Sequence, residues 1–188
     1  PVCTSVIIEP GDTVTYRFTY TLPQTDFEAL VFTDYLPLPV FDATSINPAF
    51  DPTVSAPAPA AGTAKYGPSD TQYVVTNITP VITTTASSNT VAFGFGDFDD
   101  ALDRSTVVDV LFTVTVSANP FVDGLFLTNQ VRASEGTTNA GSQVDDSIVM
   151  IELGEPELAI RKGVVTTNGT GGTFAPTTVG PVSFTAPG

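Results

Sequence analysis

A two-residue alternation of apolar and polar side chains runs through this chain and commits it to β structure. In TVTYRFTYTL (13–22), Val14, Tyr16, Phe18, Tyr20 and Leu22 fall on one face, and Thr13, Thr15, Arg17, Thr19 and Thr21 on the other. A half-buried strand of an antiparallel sheet has this pattern, because successive side chains point to opposite faces. The same period recurs in ALVFTDYLP (29–37), YVVTNITPVITTT (73–85), NTVAFGFGDF (89–98), STVVDVLFTVTVS (105–117), LFLTNQVRAS (125–134) and SQVDDSIVMIEL (142–153). No window carries a capped helical period. Seven or so strands at roughly ten-residue spacing predict an all-β fold, a Greek-key Ig-like β-sandwich.

Composition agrees with that reading and narrows function. Thr (30 residues) and Val (23) dominate, both β-branched and suited to a pleated surface. The 188 residues contain no histidine, which removes the commonest general base and metal ligand. One cysteine, Cys3, allows neither an internal disulfide nor a thiolate zinc site; it is a free thiol, an intermolecular disulfide or, the favoured reading, a small apolar filler. A net charge of −14 argues against nucleic acid and anionic membrane as partners. No run of about 18 apolar residues marks a membrane-inserted helix. The chain starts without methionine or a signal peptide and is expected to be a piece of a longer precursor.

Residues 1–153 form the expected sandwich module, with a Pro/Ala-rich insertion at 41–70 read as an irregular loop over one end. Tyr66 and Phe50 within it are the expected exposed aromatics, whereas Phe93, Phe95, Phe98, Phe121 and Phe126 are assigned to the core. GEPE (154–157) reads as a linker, and LAIRKGVV (158–165) begins another strand. The 154–188 segment is too short to enclose a core of its own. It is therefore expected to extend the fold as a strand shared with the next module or subunit.

Four short motifs, EPGDTVTYRFTY, FTDYLP, LTNQVRAS and PELAIRKGVV, resemble in their residues the tandem β-sandwich repeat modules of prokaryotic cell-surface proteins, including the fimbrial isopeptide-forming domains. The likeness spans most of residues 9–165 apart from 41–70. It departs from the family pattern in one respect: the lysine strand follows the "TNxV" strand instead of opening the chain. The resemblance implies that residues 158–188 start the next repeat or serve a neighbour, and that the N-terminus takes its first strand from outside.

Parity supplies a candidate site. Asp34 shares its face with Phe32 and Leu36, Asn129 with Leu127 and Val131, and Lys162 with Leu158, Ile160 and Val164. Each would cost several kcal/mol to bury alone. The resemblance assigns Lys162, Asn129 and Asp34 to a single-turnover isopeptide bond: a desolvated lysine attacks the carboxamide while the acid relays protons. The alternative has Asp34 and Asn129 bonding to nearby backbone and Lys162 snorkelling to solvent.

Asp97, Asp99, Asp100 and Asp103 in GDFDDALDR form a second cluster, a candidate calcium loop or a solvated acidic turn. No other cofactor is expected. Asn77 and Asn168 head N-glycosylation sequons. Together these features predict a non-enzymatic structural module of an extracellular fibre, stalk or sheath, with copies of itself or adjacent modules as partners. The alternative is an adhesin that binds a glycan or host protein through loop 41–70 and acidic loop 96–104.

Overall fold

The computed structural model describes residues 7–22, 27–52, 58–70, 78–98, 105–119, 124–136 and 144–154. The chain divides into two compact units, Pro1–Glu155 and Pro156–Gly188. All described residues belong to the first, a β-sandwich.

Ten strands appear in chain order: β1 (Ile7–Ile8), β2 (Thr13–Leu22), β3 (Phe27–Tyr35), β4 (Phe50–Asp51), β5 (Ala64–Tyr66), β6 (Val81–Thr85), β7 (Thr90–Phe98), β8 (Thr106–Thr115), β9 (Phe126–Gly136) and β10 (Val144–Leu153). One sheet has the order β1-β10-β9-β3-β7-β6, the other β2-β8-β5-β4. Pairing is antiparallel except for β1 with β10 and β4 with β5. The longest ladder joins β2 to β8 without a register break, from Thr13↔Thr115 to Leu22↔Thr106. β3 carries a bulge at Ala29, whose φ is 49°, and the Asp97 carboxylate accepts the Ala29 N–H at 2.8 Å.

The alternation in 13–22 becomes the core as expected: Tyr16, Phe18 and Leu22 are buried, with Phe32 and Phe93 of the other sheet packed across from them and Phe112 of β8 beside Tyr16. Ring centroids lie 4.9 Å apart for Phe18–Phe32 and 5.6 Å for Phe93–Phe112, ordinary aromatic packing distances.

Two expectations fail. The insertion at 41–70 is not wholly irregular: β4 and β5 extend the smaller sheet through the β8 ladder. Phe50 and Tyr66 are consequently buried, with centroids 4.8 Å apart, and the Tyr66 hydroxyl donates to the Ile78 carbonyl. Phe126, assigned to the core, is 55% exposed. It has the opposite parity to the buried Asn129 and Ala133 and so points to the outer face of the larger sheet.

The outer face of the smaller sheet holds a buried charge. Asp109 is fully buried although parity puts it on the polar side of β8, because residues 67–70 fold over it. Its carboxylate takes Arg17 Nε at 2.9 Å and Nη2 at 2.8 Å, plus the Ser69 N–H at 2.7 Å. The bidentate pair holds Arg17 protonated, the hydrogen bond being the largest cause and the Asp109 charge the next. Gly67 is required beneath this turn, since a Cβ there would lie 2.2 Å from the Asp109 carboxylate. Gly67→Ala is expected to cost about 2 kcal/mol in urea unfolding, as overpacking does elsewhere. A loss under about 0.5 kcal/mol would show that the turn shifts freely.

Candidate functional site

β3 and β9 are neighbours, with Asp34 opposite Val131, so Asn129 sits diagonally from Asp34 on the same inward face. The two side chains meet: Asn129 Nδ2 donates to Asp34 Oδ2 at 3.0 Å, and the residues are 3% and 2% exposed. The sequence pattern found this pair because each residue interrupts an apolar face.

The pair is incompletely satisfied. Asp34 Oδ1, Asn129 Oδ1 and the Tyr16 hydroxyl are all buried without a hydrogen-bond partner. Tyr16 stands on β2 in the opposite sheet, its ring against Phe41 and Phe112. Burial raises the Asp34 carboxyl to about 7, partly offset by the Asn129 hydrogen bond. Burial, then the nearby Asp34 charge, raises the Tyr16 phenol as well. A buried acid that titrates near neutrality, beside a carboxamide, can pass protons to and from an incoming group.

Tyr16, Asp34 and Asn129 line a cavity of about 60 Å³, which Val149 and Ser147 of β10 also line. A bound water takes about 30 Å³, so this space admits a polar group of about two waters' volume. No family model, curated protein or solved structure matches the chain. Function must therefore be argued from this arrangement of atoms.

The remaining candidates separate. Lys162 lies outside the described residues, as do Asp99, Asp100, Asp103, Asn77, Asn168, Cys3 and Phe121. Asp97 is described, and one of its oxygens already serves the β3 bulge. Among the described residues, no three acidic or cysteine side chains gather to hold a metal ion. Within 41–70, a cleft of about 450 Å³ is lined by Asn47, Phe50, Asp51, Ala58, Pro59 and Lys65, among others. Sequence reasoning missed this cleft because β4 and β5 are only two and three residues long. Strands that short show no period.

Proposed function

We propose that this chain is a structural module of an extracellular fibre, stalk or sheath, joined to its neighbours by strand exchange or tandem linkage and without catalytic turnover. The observation that carries the reading is the unequal width of the two sheets. β10 extends beyond the smaller sheet and leaves its inward Val149 47% exposed, while Phe126, Ile148 and Met150, 41% to 64% exposed, form an apolar patch on the outer face of the same two strands. Apolar side chains on both faces of one strand mark a surface that another β element covers. The absence of histidine and the acidic surface fit a load-bearing part better than an enzyme. Electron microscopy of the native material tests this: filaments or tandem arrays are expected, and dispersed single particles at all concentrations would refute it.

The resemblance to isopeptide-forming modules gives the Asp34–Asn129 pair a covalent role. Lys162 Nζ would attack Asn129 Cγ, an amide would form, and the carboxamide nitrogen would leave as ammonia with a proton relayed by Asp34. Each bond makes the intact mass one ammonia lighter, and an unshifted mass excludes the cross-link. Calcium at the acidic loop would appear as a chelator-sensitive melting temperature; an unchanged melt would remove it.

The 450 Å³ cleft within 41–70 favours a second reading, an adhesin whose ligand is a glycan or host protein. Excising 41–70 would remove β4 and β5, so Ala58→Trp at the exposed rim is the cleaner probe. Glycan-array binding by the wild type that this substitution abolishes would favour the adhesin.

A further inference from the structure

The larger sheet overhangs one particular edge. Among the described residues, β2 pairs only with β8, and its other edge bears no strand. The inward face of β10 projects past that edge, whereas Asn129 and Ala133 on the inward face of β9 are buried. On β10, Ile151 is buried, but Asp145, Ser147 and Val149 on the same side are exposed. The gap between edge and overhang is a groove with two hollows in line. The first is the 60 Å³ cavity beside Tyr16, Asp34 and Asn129, and the second, about 40 Å³, lies between Phe18–Thr19 and Asp145–Ser147. Backbone donors and acceptors form one wall, and a partly apolar sheet face forms the floor. An added β-strand needs both.

The groove is acidic. Asp34 lies at one end, and Asp145 and Glu135 act on Tyr20 further along. The cation on the β2 wall, Arg17, is held by Asp109 on the other side of the sheet. Three buried oxygens without partners, from a carboxylate, a carboxamide and a phenol, surround the inner cavity. Such a set suits a primary ammonium, which donates three hydrogen bonds and brings the charge a buried carboxylate lacks.

We propose that this groove accepts residues 158–164 of a second copy as an added strand along β2, with the Lys162 ammonium seated at Asp34, Asn129 and Tyr16. This rests on the joined-module reading and specifies its joint. In LAIRKGV the alternation puts Leu158, Ile160, Lys162 and Val164 on one face, so a single lysine enters the cavity while apolar neighbours cover Val149 and Val131. Arg161 and Lys162 are the one adjacent basic pair in a chain of only 6 basic residues, which gives the acidic groove its complement. The docking is non-covalent and stands whether or not an amide later forms.

Complementation between two full-length variants tests the joint. Arg161→Glu with Lys162→Glu disables the donor. Ser147→Arg, at an exposed position facing the groove, blocks the acceptor without touching the core. Sedimentation velocity should show concentration-dependent association of the wild type, weakened about tenfold or more in each variant alone. An equimolar mixture should restore association, but only to dimers, because each pair then offers one sound donor and one sound groove. Matching melting temperatures check that all three proteins fold. Wild-type association that neither variant disturbs overturns the groove while the joined-module reading stands. A wild type that stays monomeric at every concentration overturns both the groove and the strand-exchange form of the joined-module reading.

Discussion

Replacing Asn89 with alanine should cost about 4 kcal/mol in equilibrium unfolding, a large share of what holds such a domain together. Asn89 ends the β6–β7 hairpin at φ 50°, a left-handed conformation that asparagine tolerates better than other side chains. Its side chain is 3% exposed and fully employed. Oδ1 accepts the Ala43 N–H at 2.9 Å, and Nδ2 donates to the Leu36 carbonyl at 2.9 Å and the Phe41 carbonyl at 3.0 Å. The segment 36–43 has no ladder of its own; besides the backbone bonds Leu36 N–H to Asn89 O and Ser117 N–H to Val40 O, this one side-chain amide fixes its path over the core. Alanine leaves three buried backbone groups unpaired, each worth about 1–3 kcal/mol, and adds left-handed strain. Asn89→Gly removes the strain but not the lost bonds, so it should recover only about 1 kcal/mol. Asn89→Asp keeps the acceptor but turns an oxygen toward two carbonyls, and should be at least as damaging as alanine at neutral pH. Urea unfolding of the three variants separates these contributions. An alanine variant within about 1 kcal/mol of wild type would mean that water replaces the amide.

The sequence exposes some of these contacts and hides others, for reasons that particular residues show. Asp34 and Asn129 were legible because a two-residue period fixes the face of every side chain in a long strand. Their meeting was not legible, since it depends on β3 and β9 being neighbours in the sheet. Asp109 escaped because its position in β8 is polar by parity; its burial comes from the 67–70 turn, 40 residues distant from it through Ser69. Phe50 and Tyr66 were misplaced because a Pro/Ala-rich composition hides two short strands. Phe126 was misplaced against its own parity: Leu127, Asn129 and Val131 form the inward face of β9, so Phe126 points to the outer side of the sheet. Periodicity reports which way a side chain points and says nothing about what lies there.

Asp34→Asn should make the protein more stable above neutral pH and less responsive to pH. Burial raises the folded-state carboxyl to about 7, whereas in the unfolded chain it titrates near the ordinary 3.8. Between these values the folded state binds the extra proton, so this group's contribution falls as pH rises through the window and is constant above it. The whole window corresponds to about 4 kcal/mol, of which about 2 kcal/mol falls between pH 5 and pH 7. Tyr16 and Arg17 also line the pocket, but both are shifted upward, so neither changes charge in this range. Asparagine stays neutral and nearly isosteric; its stability should lie close to wild type near pH 4 and about 4 kcal/mol above it at pH 8. Parallel profiles for the two proteins would show that Asp34 is not held above its normal range. The comparison also bears on assembly, because an ammonium seated beside Asp34 would draw its titration back down and cancel the cost of ionisation. Dilute, unassembled wild type should therefore show the full pH dependence and concentrated, associated wild type little of it, whereas the asparagine variant should show little at either concentration.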